Sequence, residues 1–494
     1  MKFISTRAKN PTEVTSAYAI KRGLAEDGGL YMPNSIPKLT ADEIEELAKC
    51  SYPERAAEIL SKFLTDYGYD ELLLDAEAAY SKDKFGSSPA PVTELSENEY
   101  MLELWHGPTC AFKDMALQIM PRLFSRALKK CDEQRCALIL VATSGDTGKA
   151  ALEGYRDVAG TKIKVFYPTD GVSRVQKLQM QTQEGSNVSV DAIRGNFDDA
   201  QSGVKKIFSD ADIEKELDGE GVFLSSANSI NWGRLVPQIV YYVSAYCDLL
   251  KRGRLKMGEE LDVCVPTGNF GNIFAAYIAK LMGLPIGRLI CASNVNNVLT
   301  DFLTEGVYDK NREFYPTISP SMDILISSNL ERLLFTVVGA EKTGEYMEKL
   351  ARDGRYALDE CDLMKIKEHF VGYYTDEAGT AETIKRTYNE KNCLIDIHTA
   401  VAVSAAERYM DANKAERKVL VVSTASPFKF ARDVYRALTD KDATGDIEAL
   451  GELHALTSVE IPKPLSSLID KPVLHSTVID KTDMERTVKE FVRA

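Results

Sequence analysis

A lysine buried among apolar neighbours is a reagent, because burial disfavours its charged form and leaves a nucleophilic amine. Lys113 is such a candidate, in the segment Leu104-Trp105-His106-Gly107-Pro108-Thr109-Cys110-Ala111-Phe112-Lys113-Asp114. Gly107-Pro108 demands a turn. The spacing of Leu117, Met120 and Leu123 predicts a helix that starts beside Lys113. Just inside a helix N-terminus, burial and the positive end of the dipole both lower an amine's pKa, which prepares it for Schiff-base chemistry. The plainer alternatives are a lysine that snorkels to the surface and, for His106, a core histidine satisfied by backbone.

Three loops carry the other unusual compositions, and each follows an apolar run. Thr143-Ser144-Gly145-Asp146-Thr147-Gly148 offers hydroxyls and backbone N–H groups to an anion at a helix start. Ordinary helix caps explain the same residues. A nucleotide P-loop does not fit, because two residues separate Gly145 from Gly148 and Ala150 follows Lys149. Pro266-Thr267-Gly268-Asn269-Phe270-Gly271-Asn272 has two glycines three apart, so its N–H groups can converge on a phosphate. It lacks the third glycine of a dinucleotide fingerprint and has no lysine, which favours a phosphate held by backbone and helix dipole. A simple turn remains open there too. Ser423-Thr424 ends a later apolar run, and by itself means little.

These loops need a frame. Ala137–Ala142, Ile163–Phe166, Val188–Ile193, Val222–Leu224, Leu261–Val265, Arg288–Ala292 and Lys418–Val422 read as buried strands. Helical stretches such as Val172–Thr182, Val236–Leu250 and Ile273–Met282 alternate with them, which predicts an α/β fold with parallel sheet and helices on both faces. In such folds ligands bind at the carboxyl ends of the strands. The first ninety residues read as mainly helical, with a capping box from Thr40 to Glu43. Ser87–Pro91 is a boundary loop, residues 300–417 are irregular and mostly helical, and the last fifty form a tail on the body.

The 494 residues are 44% hydrophobic and 27% charged, a globular composition long enough for about three domains. Lys plus Arg is 60 and Asp plus Glu is 74, a net charge of −14, so nucleic acid and anionic membranes are disfavoured as partners. An anionic substrate is still compatible, since local dipoles in a cleft can outweigh net charge. Nine cysteines without a C-x-x-C pair argue against a disulfide framework or a structural zinc site, and favour a reducing, cytoplasmic setting. No leader-like apolar segment and no membrane-length apolar run is present.

Together the segments H-G-P-T-x-A-F-K-D (106–114), T-S-G-D-T-G (143–148), S-A-N-S-I-N (226–231), G-N-F-G-N (268–272) and S-T-A-S-P-F-K-F (423–430) resemble the threonine synthase family. G-L-A-x-D-G-G-L-Y-x-P (23–33) and H-T-A-V-A (398–402) extend the resemblance over nearly the whole chain, and the long N-terminal segment looks like the bacterial and fungal branch. The resemblance implies a fold type II pyridoxal 5'-phosphate enzyme with a mainly helical N-terminal domain. It implies Lys113 as the Schiff-base residue, Phe112 beside the cofactor ring, Gly268, Asn269, Phe270, Gly271 and Asn272 around its phosphate, and Thr424 at the ring nitrogen. It further implies Ser144, Gly145, Asp146 and Thr147 at the substrate carboxylate. Ser226, Asn228, Asn231 and Arg234 are candidates for the substrate phosphate. Many fold type II relatives have Asn where Asp146 stands, so Asp146 is expected to organise the loop, its charge engaged in capping the next helix, rather than to touch a carboxylate. Ser426 stands where many members have His.

The implied reaction converts O-phospho-L-homoserine and water to L-threonine and phosphate, without a metal, in a monomer or homodimer. A β-eliminating relative, such as a threonine dehydratase or cysteine synthase, is the near alternative; a nucleotide-dependent phosphotransferase is the distant one. The expected division is an N-terminal domain over 1–92, an α/β domain with the lysine and substrate loop over 93–260, a second with the phosphate loop over 261–440, and a tail over 441–494.

Overall fold

Runs of Val, Ile and Leu with no polar face belong in strands covered on both sides. The computed structural model describes residues 1–413 and 417–494. In chain order its strands are β1 (Phe3–Ser5), β2 (Tyr31–Pro33), β3 (Val92–Ser96), β4 (Glu99–Glu103), β5 (Cys136–Ala142), β6 (Thr161–Pro168), β7 (Val188–Ile193), β8 (Val222–Ser225), β9 (Leu261–Pro266), β10 (Ile286–Ser293), β11 (Val307–Asp309), β12 (Arg355–Ala357), β13 (Phe370–Tyr374), β14 (Lys418–Ser423) and β15 (Val478–Ile479).

Two sheets build the body. The larger runs β13-β10-β9-β14-β4-β3, parallel throughout except for β3, which pairs antiparallel with β4 at the edge. The smaller runs β15-β7-β6-β5-β8, all parallel. The helices Ile397–Asn413, Ala431–Thr439 and Glu448–Thr457 cover one face of the larger sheet with a separate apolar core. Phe197–Ser209, Ala211–Gly219 and the C-terminal Met484–Arg493 cover one face of the smaller. The main core joins the remaining faces to the N-terminal segment.

Strand order decides where the loops meet. In the larger sheet β4, β14 and β9 are neighbours, so the Lys113 segment, the Thr424 turn and the Gly268–Asn272 loop leave adjacent strand ends. In the smaller sheet β5 is flanked by β6 and β8, so the order reverses at the strand that feeds Thr143–Gly148. These are the positions where open parallel sheets hold ligands.

The N-terminal segment is mainly helical. Ser16–Arg22 lies in the connection between β1 and β2, which pair as a small antiparallel ribbon; Ala41–Lys49, Tyr52–Phe63 and Tyr69–Ala79 follow, and Thr40 forms its capping box with Glu43. Wholly buried Trp232 docks this segment, its ring 5.3 Å from Phe3 and 5.6 Å from Phe63.

Several elements differ from expectation. The chain crosses the expected boundary at 260: β3 and β4 lie in the larger sheet with β9, and β15, from the C-terminal tail, extends the smaller sheet. Parallel neighbours are set by long crossovers, so chain order does not reveal which sheet a short strand joins. The helix after Lys113 is two pieces, Asp114–Leu117 and Met120–Lys130, because Pro121 opens a new first turn. The helix expected from Lys149 begins at Asp146. The irregular stretch contains three strands, β11 to β13, too short to read by alternation. No described helix is long and apolar enough to cross a membrane.

Gly154, in the Asp146–Tyr155 helix, lies against the turn that follows Lys113: a Cβ there would stand 1.9 Å from the Leu117 carbonyl oxygen. Gly→Ala in a helix ordinarily stabilises by about 1 kcal/mol. Here the sign should reverse. Gly154→Ala is expected to lower stability by about 1–3 kcal/mol in urea melts, because backbone must move.

Candidate active site

The Lys113 segment is laced to the end of β14. Leu104 N donates to Ser423 O (3.0 Å), Ala111 bridges Ala425, and Phe112 N donates to Thr424 O (2.8 Å). Asp114 closes the preceding turn by accepting from Thr109 N (2.8 Å) and Thr109 Oγ1 (2.7 Å). Lys113 is thereby held 8% exposed. Its Nζ faces Asp146 Oδ2 at 3.2 Å and Ser321 Oγ at 3.4 Å, and lies 5.0 Å from the centre of the Phe112 ring. Burial pulls the amine's pKa down; Asp146 opposes this, and the nearby Lys429 and Arg234 push further down. The following helix has four residues, so burial and neighbouring cations, not the expected dipole, set the direction.

After β5, Thr143 Oγ1 accepts from Gly145 N (3.0 Å) and Gly148 N (2.9 Å), which curls the loop. Gly145 has φ 140°, and any side chain there would strike Gln176. The hydroxyls of exposed Ser144 and half-buried Thr147 have no hydrogen-bond partner among the described residues. Asp146 does not cap its helix with its side chain, contrary to expectation. Its Oδ1 instead accepts from Gln176 Nε2 (2.9 Å) and pairs with Lys429 Nζ (2.9 Å), while Oδ2 faces Lys113. The two lysines hold it far below the usual carboxylate range despite burial. Lys149 pairs with Glu153 (3.1 Å) and Gln183, which removes the cation a nucleotide loop would need.

After β9, Phe270 adopts φ 62° and starts the twelve-residue helix Gly271–Met282. Its ring packs inward, 5.6 Å from Phe370, so this residue can offer only backbone to a ligand. The loop's carbonyls are taken: Gly268 O accepts from Ser327 Oγ (2.6 Å), and Asn269 O from Asn329 N (3.1 Å) and Nδ2 (3.0 Å). The N–H groups of Gly268 to Asn272 find no acceptor among the described residues. Asn272 Oδ1 accepts from Tyr241 and Tyr242, leaving its buried Nδ2 without a partner. Unmatched donors at a helix start are what a phosphate requires, so the residues present fit a phosphate-bearing cofactor.

Ser321 joins the two places. Its hydroxyl touches Lys113, and its carbonyl oxygen lies 2.5 Å from where a Gly268 Cβ would be. His398 Nε2 accepts from Ser321 N (3.2 Å) and Nδ1 donates to Asp396 (2.8 Å). Thr424 is buried beside Phe112, and its hydroxyl has no partner among the described residues. His106 is outside this cluster, paired with Glu103 at 2.7 Å.

The expected substrate-phosphate residues divide. Asn231 is structural: its Oδ1 accepts from Gly233 N (2.8 Å) as a helix cap and its Nδ2 donates to Ile20 O (2.8 Å). Ser226 Oγ accepts from Asn228 N at 3.3 Å, within the same loop. Arg234 is 6% exposed, donates to Ala227 O (2.8 Å), and has no carboxylate partner among the described residues; burial pushes its pKa down to about 10. With one hydrogen bond and no counter-charge among the described residues, this buried guanidinium has donors to spare for an anion. Residue type alone does not single out Lys429, Gln176, Ser321, His398 or Asn329; Lys429 and His398 stand inside the 423–430 and 398–402 motifs, while Ser321 has no local signal.

Three family models match in sequence: "Threonine synthase N terminus" over residues 2–80, "Pyridoxal-phosphate dependent enzyme" over 87–425 and "Threonine synthase, C-terminal" over 399–492. The chain is 39% identical to human threonine synthase-like 1 over its whole length, and spans 66% of that relative. It is 38% identical to Pseudomonas aeruginosa threonine synthase, with 88% of this chain and 90% of that one aligned. The crystal structure of PLP-bound threonine synthase from Brucella melitensis superposes with a TM-score of 0.88 at 36% identity, covering 100% of both chains.

Asp114 supplies a pH test of the turn that carries the lysine. Burial raises its carboxyl from 3.8 to about 6, against both Thr109 donors. The folded chain therefore holds this proton more tightly than the unfolded one. Its contribution to stability is full below pH 3.8 and is lost as pH rises through about 6. Between pH 4 and 7 wild type should lose about 2–3 kcal/mol that Asp114→Asn does not lose, read as the difference between paired urea-melt profiles. Parallel profiles would contradict the shift.

Proposed function

The chain belongs to the threonine synthase family of pyridoxal-phosphate-dependent enzymes, and we propose that it converts O-phospho-L-homoserine and water to L-threonine and phosphate. The observation that carries this reading is the meeting, across Ser321, of a buried amine with a cradle of unmatched N–H groups. Pyridoxal 5'-phosphate, when bound, supplies an aldehyde for a lysine amine and an aromatic ring that draws electrons from the substrate Cα.

The geometry supports the following roles for the protein's own residues. Lys113 would hold the cofactor, and once freed its amine takes the proton at Cα and moves protons at Cβ; its lowered pKa keeps a neutral base available. The N–H groups of residues 268–272 and Asn272 Nδ2 would hold the cofactor phosphate. Thr424, buried with a hydroxyl that has no partner among the described residues, would offer a neutral partner to the cofactor's ring nitrogen, which would not enforce its protonation, and Phe112, whose ring lies 5.0 Å from the Lys113 amine, would pack beside the cofactor ring. Ser144 and Thr147, with the N–H groups of their loop, would receive the substrate carboxylate at the start of the Asp146–Tyr155 helix. Arg234, with Ser226 and Asn228 near it, would receive the substrate phosphate that leaves from Cγ. Asn231 and the Asp146 carboxylate position these loops rather than touch the substrate. Water must reach Cβ late, so the two sheets should close over the substrate before turnover.

The test is phosphate release from O-phospho-L-homoserine with stoichiometric threonine. Lys113→Ala should abolish both release and the yellow covalent adduct. Arg234→Met should raise KM by about 30-fold or more while the protein still takes up the cofactor. Ammonia and 2-oxobutanoate from threonine, with no phosphate from the phosphorylated substrate, would move the assignment to a β-eliminating enzyme.

A further inference from the structure

Asp146 puts a negative charge beside the hydroxyls proposed to receive a carboxylate, and a bare buried carboxylate there would repel it. The structure answers with a second lysine. Lys429 Nζ lies 2.9 Å from Asp146 Oδ1 and donates to Thr109 O at 2.8 Å. Lys429 is 1% exposed, and Asp146 6%. Lys429 leaves the Pro427–Phe430 turn after β14, and Thr109 belongs to the segment before Lys113, so both stand on the larger sheet. Asp146 heads the helix after β5, on the smaller sheet. The ammonium therefore clamps the two bodies where the substrate loop meets the reactive amine.

We propose that Lys429 is a positioning residue that neutralises Asp146 and thereby keeps the 144–147 loop able to accept a substrate carboxylate in both states of Lys113. While Lys113 is a free ammonium, two cations share the carboxylate. When Lys113 is engaged elsewhere or neutral, the Lys429–Asp146 pair remains closed and the loop carries no net charge. Gln176 completes the arrangement with a neutral donor, and among the described residues the cations paired with Asp146 are Lys113 and Lys429, both carried by the larger sheet. This inference rests on the proposed reaction for its substrate and on the ion pair alone for its electrostatics.

The test uses the full-length holoenzyme, with Lys429→Met, Asp146→Asn and the double variant. Lys429→Met should raise KM for O-phospho-L-homoserine at least about tenfold at pH 8, with a smaller change in kcat. With one cation gone, the Asp146 pKa rises, so that KM should fall again as pH is lowered. The charged groups facing the pair are Lys113 and, around the two lysines, Arg234 and Asp114, with the neutral Cys110 thiol beside them; all are retained in these variants. Asp146→Asn/Lys429→Met, which removes both charges, should bring KM back to within about threefold of Asp146→Asn alone. A second reading does not need turnover: the thermal midpoint of the cofactor-free chain should drop in Lys429→Met and recover in the double variant. That arm separates the inference from the reaction, since it holds even where wild type releases no phosphate. Equal impairment of the single and double variants, with a KM indifferent to pH, would show that Lys429 only fills space and would overturn the proposal. An unaltered Lys429→Met would overturn it as well.

Discussion

A buried amine needs an anion, and here the anion comes from the other sheet. Lys113 is carried by the segment after β4 of the larger sheet, and the carboxylate that faces it heads the helix after β5 of the smaller. Stripping either group of water without the other is costly by several kcal/mol, so the two sheets are held at a fixed separation in this state. The remaining contacts respect that separation. Phe112 and Ala111 are fastened to the β14 end, Thr143 curls the loop that presents Asp146, and Ser321 fills the space between the amine and Gly268. The Lys113–Asp146 contact is also one that can be surrendered, because Lys429 and Gln176 still satisfy the carboxylate when the amine turns away.

How much of this could be read from sequence depends on the reach of the signal. The strands at 137–142, 163–166, 188–193, 261–265, 288–292 and 418–422 were legible, because an apolar run of that length has few alternatives. So were the two glycine-bearing loops and the lysine, because strained backbone and a lysine among apolar residues leave local marks. The sheet to which β3 and β4 belong was not legible: β3 pairs with its neighbour β4 as a hairpin, and a five-residue strand such as β4 carries no information about its far partner β14. Ser321 was invisible for the same reason, since a serine in a proline-rich loop gives no hint that it will meet Lys113. Asn231 shows the opposite failure. Its motif suggested a ligand, while its amide serves the Ile20 carbonyl and a helix start.

The N-terminal segment fixes two of the loops proposed to hold ligands. Arg332, fully buried, donates to Tyr31 O, to Ile230 O at 2.6 Å and to Asn329, so one planar guanidinium ties β2, the 226–231 loop and the start of the Leu330–Asp353 helix. Arg7 and Thr6 hold Glu331 from the other side. Asn329, seated by Arg332, then holds the carbonyl of Asn269. The orientation of the 268–272 loop is thus tied to the N-terminal ribbon through two residues, Arg332 and Asn329. A buried guanidinium suits this task because its donors are planar and fixed, and three carbonyl-type acceptors can satisfy it without a carboxylate partner.

The same local charges reconcile a net charge of −14 with the proposed substrate, which bears a carboxylate and a phosphate. Surface charges more than about 8–10 Å away are screened at ordinary ionic strength. Inside the cleft water is scarce, and the charges that count are Lys113, Lys429 and Arg234 against Asp146. Two of the cations share one anion, and Arg234 is left over. The local field is therefore positive although the molecule is acidic, and its excess lies with Arg234, where the proposed phosphate would sit. Once Lys113 is engaged or neutral, the Lys429–Asp146 pair leaves the carboxylate loop near neutral, so selection there falls to hydroxyls and N–H groups, which discriminate by direction rather than by charge. A cleft that attracts with one end and aligns with the other fits a substrate whose two anionic groups have different fates, one retained in the product and one released.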